Sequence, residues 1–242
     1  MRKAVLIGVA MAATATAGCA RGHAEDGGPM VQKSYQVGNF TQVELAGPFD
    51  VTIHTGSAPS VSARGNQKLI DRLAVEVKGD KLVIHTESNR GWFNWGWGTN
   101  GKADIAITMP TISAATLAGS GGINIDHVKG DNFEGTVAGS GDLNIDSVEV
   151  QSLKLSIAGS GDVRARSGQT ASAAYKIAGS GGIDARSIKA QTAEVSIAGS
   201  GSISGQATAA ADVKIMGSGD VTLTGGAKCN ITKHGSGDVN CS

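Results

Sequence analysis

The triplet Gly-Ser-Gly begins at Gly119, Gly139, Gly159, Gly179, Gly199, Gly217 and Gly235, a spacing of 20 residues four times and then of 18 twice. A fixed period of this length marks a repeat architecture, in which each unit is too small to bury its own apolar side and must stack on its neighbours. After each triplet the apolar residues alternate. Ile123, Leu143, Val163, Ile183, Ile203, Val221 and Val239 fall in one column, and Ile125, Ile145, Ala165, Ala185 and Leu223 in a second. Asn124, Asn144, Arg164, Asp184 and Thr222 stand between them. A period of two is that of a strand with one face inward, so both columns are expected to point into a core. A further strand precedes each triplet, as in Leu153, Leu155 and Ile157 with Lys154 and Ser156 between. Val148-Glu149-Val150 has strand character in one repeat, whereas Gly168-Gln169-Thr170 occupies that place in the next, so the residues leave two or three faces per coil open.

The fold class that follows is all-β: a parallel β-helix, a solenoid of about 20-residue coils, with right-handed winding expected from the crossover rule for parallel strands. Seven triplets bound six rungs, about 29 Å of solenoid at about 4.8 Å per rung. Glycine supplies the corners, where a positive φ and close approach of successive turns exclude a side chain. With 36 glycines and only 9 aromatic residues, the chain reads as turn-rich with a thin core.

Stacking at a known period predicts which side chains meet. Asp126 and Asp146 share a column with Arg166 and Arg186, placing Asp146 beside Arg166, and Glu134 falls next to Lys154. Such cross-strand pairs fix register. Cys229 takes the column of Phe133 and Leu153, and Cys241 that of Ile125 and Ile145. Both therefore face inward on successive coils, and a disulfide between them is expected to staple the last coil.

At the other end, Met1-Arg2-Lys3 and the apolar and small residues from Ala4 to Ala17 form a charged n-region and a short h-region, so residues 1–18 read as a signal peptide. Thr16-Ala17-Gly18-Cys19 resembles a lipobox, with Thr16 where leucine usually stands. Cys19 would then carry the lipid anchor at the outer membrane or in the periplasm. Ala15-Thr16-Ala17 also satisfies the small-x-small rule of soluble export, which would leave a soluble periplasmic protein. One lipidated cysteine and one disulfide account for all three cysteines in an oxidising compartment. Residues 19–33 read as a flexible linker, 34–117 as irregular N-terminal β coils and 118–242 as the repeat solenoid, continuous with them. Within 34–117, Lys78-Gly79-Asp80-Lys81 reads as a hairpin turn, and Asn66 to Leu73 has room for one short helix.

In this order, Phe40-Thr41-Gln42-Val43-Glu44-Leu45, Gly47-Pro48-Phe49-Asp50-Val51, Lys81-Leu82-Val83-Ile84 and Gly121-Gly122-Ile123-Asn124 resemble the putative auto-transporter adhesin, head GIN domain family, over about residues 34–220. The resemblance implies an exported, often lipid-anchored bacterial protein of β-helical fold with an adhesion-like role. It carries no catalytic residues across.

The remaining readings concern chemistry. Trp92, Phe93, Trp95 and Trp97 stand together in a glycine-flanked loop, 91–98, that contains every tryptophan of the chain. Their rings suit stacking on a glycan, a peptide or a membrane interface, or a lid over the solenoid end. Asp142, Asp162, Asp220 and Asp238 follow triplets, but calcium-binding glycine-rich repeats have a nine-residue period, so solvated corners are the plainer reading. His54, His85, His127 and His234 lack metal-ligand spacing, and no nucleophile stands in a recognisable motif, so no metal, cofactor or catalytic residue is assigned. With Arg2 and Lys3 removed by processing, 19 basic residues face 21 acidic ones, and no nucleic-acid surface is implied. A non-enzymatic envelope protein binding a glycan or an envelope protein is the leading reading. A structural or envelope-stress accessory protein follows, and a polysaccharide-active enzyme comes third.

Overall fold

A computed structural model describes residues 28–87 and 103–242. From Gly122 onward the chain winds as a parallel β-solenoid in which each coil pairs in register with the next. The coil that starts at Asp142 shows the plan: residues 142–145, 147–150 and 152–159 each pair with the same positions of the preceding coil, and Asp146 and Gln151 form the corners between them. The number of faces is therefore three. Leu143 and Ile145, Val148 and Val150, then Leu153, Leu155 and Ile157 point inward from these faces and are buried.

The middle face persists where sequence pattern was weakest. Gly168 pairs with Val148 and Thr170 with Val150. Thr170 is buried, with its hydroxyl 3.1 Å from the Gln151 carbonyl oxygen and 2.9 Å from that of Ser172. A hydroxyl so satisfied replaces an aliphatic side chain without leaving a polar group unpaired. The core also trades volume between neighbouring positions. Tyr175 is wholly buried in the coil where Ala165 and Ala173 take inward places, and Gly205 lies against its ring.

The triplet works as a corner through its two glycines. Gly139 has φ +136°, and the preceding Gly119 carbonyl accepts hydrogen bonds from the Ser140 N–H (3.0 Å) and the Gly141 N–H (3.1 Å). A Cβ at Gly141 would fall on the Gly121 carbonyl oxygen, so the coils can approach only where no side chain intervenes. The serines between are exposed.

The shorter period after Gly199 comes from loss of a corner. Ala185 pairs with Gly205 but Lys189 already pairs with Gln206, so Arg186, Ser187 and Ile188 have no counterparts. One residue is regained between Ala190 and Thr192. At the far end Cys229 and Cys241 are disulfide-bonded, Cα atoms 6.6 Å apart, in the columns of Ala211 and Leu223. Lys233 occupies an inward column opposite Ile215 and donates to the Gly237 carbonyl oxygen at 2.7 Å. An inward-directed charge at an exposed sheet edge discourages pairing with another chain. Ile231, opposite buried Val213, is 46% exposed there.

Before Gly122 the same faces continue, but not in chain order. Strand Gln42–Ala46 lies parallel between Lys81–Thr86 and Ala114–Gly119, and the last of these pairs with the first repeated coil. Asp50–Thr55 lies parallel between Ala103–Met109 and the start of Gly122–Gly139. Antiparallel strands close this end: Leu73–Lys78 on one side, and Ser60–Asn66 followed by Met30–Tyr35 on the other. The hairpin at Lys78-Gly79-Asp80-Lys81 and a short helix, Gln67–Ile70, stand where the sequence places them. Ordered strand begins at Met30, within the stretch read as linker, because its backbone groups pair with Ser60–Asn66.

Gly47-Pro48-Phe49 forms one further corner beneath the triplets. The Gly47 N–H donates to Ala118 O and the Gly122 N–H to Phe49 O, both at 2.9 Å, and Gly47 has φ +141°. The corner column thus extends into a segment where serine is replaced by proline and the second glycine by a buried phenylalanine.

Candidate functional site

The outer surfaces of the three faces differ in what their side chains already contact. On the first face, Asn144 Nδ2 donates to Asn124 Oδ1 at 3.2 Å, Arg164 bonds Asp162 at 3.0 Å and Arg186 bonds Asp184 at 2.6 Å. The Arg186 guanidinium holds the Asp184 carboxyl below its ordinary range, against the smaller opposing effect of burial. Asp146 meets Arg166 at 3.2 Å and Glu134 meets Lys154 at 2.6 Å, the two contacts that stacking predicts. Two of the four aspartates after the triplets serve the backbone: Asp162 Oδ1 accepts the Gly182 N–H at 3.0 Å, and Asp220 Oδ1 accepts the Asp238 N–H at 2.9 Å. Asp146–Arg166, Glu134–Lys154 and the two aspartate–backbone bonds therefore hold coil to coil, whereas Arg164–Asp162 and Arg186–Asp184 each lie within one strand.

Asp126 does the same work at the junction with the N-terminal strands. Its Oδ1 accepts from the Thr55 N–H (3.0 Å) and the Thr55 hydroxyl (3.1 Å), and its Oδ2 lies 3.2 Å from His54 Nδ1. Burial opposes ionisation here, but donation from Thr55, from the His127 N–H and from His54 outweighs it, and the pKa is lowered. His54 and His127 both flank this carboxylate, which brings two of the scattered histidines of the sequence together.

The corner between the second and third faces is different. There the coils leave a hollow of about 670 Å³ that runs along the solenoid axis. Its floor is a column of one residue per coil, Gly130, Val150, Thr170 and Ala190. One wall is the column Lys129, Glu149, Gln169 and Lys189; the other carries Asp131, Gln151 and Gln191. The wall side chains are exposed. Lys129 approaches Glu149 at 4.0 Å, and the carboxamides of Gln151, Gln169 and Gln191 form no hydrogen bond to protein among the described residues. These carboxamides leave donors and acceptors uncommitted along both walls.

Of the residues singled out in the sequence, Cys229 and Cys241 are brought together as expected. Trp92, Phe93, Trp95 and Trp97, and the anchor Cys19, lie outside the described residues. The axial groove was not anticipated. A signal for it exists, because the glutamines of residues 118–242 are Gln151, Gln169, Gln191 and Gln206, and all four belong to this corner or to the wall column that continues from it.

Three-faced coils, a glycine corner and an antiparallel closing layer define a short capped β-solenoid with polar outer ladders. The chain belongs to the family described as Putative auto-transporter adhesin, head GIN domain, whose model matches residues 39–227. Among solved structures it is similar to a putative adhesin from Bacteroides fragilis, with TM-score 0.79 and 24% identity over 88% of this chain and 97% of that one. A putative lipid binding protein from Parabacteroides distasonis follows at TM-score 0.68 and 26% identity, over 89% and 97% of the two chains. A putative adhesin from Parabacteroides merdae has TM-score 0.68 at 17% identity, with the same coverage of 89% and 97%. No curated protein matches the chain.

Proposed function

We propose that the protein is a non-enzymatic, exported envelope protein with an adhesion-like binding role, held at the membrane through lipid on Cys19. The observation that carries this reading is the axial groove, a concave polar surface repeated at the coil spacing on a scaffold where Asp146–Arg166, Glu134–Lys154 and Asp162 are engaged between coils. A rigid rod with repeated donors suits recognition of an extended partner, since little ordering entropy is lost on the protein side. The adhesin names carried by the similar proteins from Bacteroides fragilis and Parabacteroides merdae agree with such a role. Lipid binding, the name carried by the Parabacteroides distasonis protein, would call for apolar surface, and the groove floor offers little beyond Val150 and Ala190. The first-face cluster of Asp162, Arg164, Asp184 and Arg186, around a smaller hollow of about 250 Å³, favours the second reading, an accessory protein that meets an envelope protein.

Two measurements test the proposal. Fatty-acid labelling of the full chain in a bacterial host is expected to mark the wild type and not Cys19→Ala, whose product moves to the soluble periplasmic fraction. Incubation of the purified protein with envelope glycans and envelope proteins is expected to give saturable binding to one of them; loss of neither label nor membrane attachment in the variant, or binding to nothing in either set, contradicts it.

A further inference from the structure

We propose that the groove over the corner between the second and third faces binds a linear, uncharged glycan lying parallel to the solenoid axis. The inference rests on the binding role proposed above and assigns it a place and a ligand class.

The shape comes first. The floor column from Gly130 to Ala190 spans three coil steps, about 14 Å at about 4.8 Å per step. It is continuous because register across these coils is unbroken. A groove of this form takes an extended chain rather than a compact molecule, and its walls repeat at an interval comparable to the advance of one sugar ring in a linear polymer.

Charge narrows the ligand. Lys129 and Lys189 are balanced by Asp131 and Glu149 within the same walls. No net positive field draws in a polyanion, as nucleic acids and acidic polysaccharides require. Nor is there an apolar strip along which acyl chains or an amphipathic helix would pack. What the walls supply is hydrogen bonding. A glutamine carboxamide offers two donors and an acceptor, and a sugar hydroxyl is itself both donor and acceptor. Gln151, Gln169 and Gln191 are exposed and make no hydrogen bond to protein among the described residues, whereas Asn144 and Asn230 on other columns pair with Asn124 and Asp212. All four glutamines of residues 118–242 fall on this one corner and its continuing wall at Gln206. The floor hydroxyl of Thr170 is turned to backbone carbonyls, so the bottom of the groove makes no competing demand.

The test uses the whole chain against soluble linear glucan, galactan and mannan, with dextran sulfate as a polyanion and anionic phospholipid vesicles as a membrane, in affinity electrophoresis and calorimetry. The expected result is saturable binding of at least one neutral glycan, insensitive to salt, and at least tenfold weaker binding in Gln151→Ala/Gln169→Ala/Gln191→Ala with thermal unfolding unchanged. A control, Asn144→Ala/Ser204→Ala on the first face, is expected to bind as wild type. Equal binding by the groove variant, or binding confined to dextran sulfate or vesicles, overturns the groove assignment and leaves the wider binding role intact. Binding of none of these probes, while an envelope protein is captured, likewise overturns the glycan inference alone; capture of nothing at all removes both.

Discussion

Asp126, at the first corner of the repeated solenoid, accepts two hydrogen bonds from Thr55, one from its backbone N–H at 3.0 Å and one from its hydroxyl at 3.1 Å. Through this pair the irregular strands that close one end are tied to coils more than 70 residues later in the chain. Asp126→Asn is expected to lower stability at neutral pH by about 1.5 to 3 kcal/mol, the usual range for hydrogen bonds to a charged group. The sign of the pH dependence follows from a lowered folded-state pKa. The contribution is complete above the unfolded value, about 3.9 for aspartate, and is lost as pH falls through the lower folded value. Urea denaturation of wild type and variant is expected to differ at pH 7 and to converge in strong acid. A difference independent of pH would mean that the carboxylate is not the tie.

Gly161 and Ser160 share one corner but have opposite tolerances. A Cβ at Gly161 would strike the Gly141 carbonyl oxygen and approach Val137 Cγ1 at 2.8 Å, whereas Ser160 is exposed. Gly161→Ala is expected to destabilise by about 1 to 3 kcal/mol or more, as overpacking does, while Ser160→Ala stays within about 0.5 kcal/mol of wild type. Thermal or chemical unfolding of the two variants distinguishes a backbone-contact corner from a merely flexible one.

Tyr175 carries a buried hydroxyl with no hydrogen-bond partner among the described residues, and burial pushes its pKa up. Removing an unsatisfied polar atom relieves a desolvation cost. Tyr175→Phe is accordingly expected to be neutral or to stabilise by about 1 kcal/mol in equilibrium unfolding, and a clear loss of stability would show that the hydroxyl has a partner in solution.

The Cys229–Cys241 bond closes the terminal coil, whose two strands each pair on one side with the preceding coil. For so short a loop the chain-entropy account gives a stabilisation of about 3 kcal/mol. Since Cys19 is the only other cysteine, intact mass after alkylation is expected to show both thiols of this pair modified only after reduction. Reduction is expected to speed hydrogen exchange over residues 228–241 while the coils between 122 and 199 keep their protection. Uniform loosening of the whole solenoid would contradict a local staple.

The repeated half of the molecule was legible because its neighbours in space are neighbours at a constant offset in sequence. Asp146 and Arg166, or Glu134 and Lys154, could be paired by counting 20 residues. The third face was harder to read, since Gly168 and Thr170 fill inward places that alternation of apolar residues does not reveal. In the first half the rule fails outright. Gln42–Ala46 lies between strands drawn from residues 81–86 and 114–119, so no single period relates the contacting positions, and the corner at Gly47-Pro48-Phe49 is hidden by its proline and phenylalanine. Linear pattern reports repeated neighbours well and interleaved ones poorly. The groove was missed for a related reason: its residues are ordinary outside positions within each coil, and only stacking makes Gln151 and Gln191 face one hollow.

In-register parallel stacking is the claim from which corners, columns and groove all follow. Pulsed electron resonance on bio-orthogonal spin labels tests it most directly, with one label at Asn124 and the second at Arg164, Ser204 or Thr222, two, four and five coils along one column. The account predicts Cα separations that grow in proportion to coil number, near 10, 19 and 24 Å at about 4.8 Å per coil. Separations that fail to grow along this series, or that fall again toward Thr222, would contradict it.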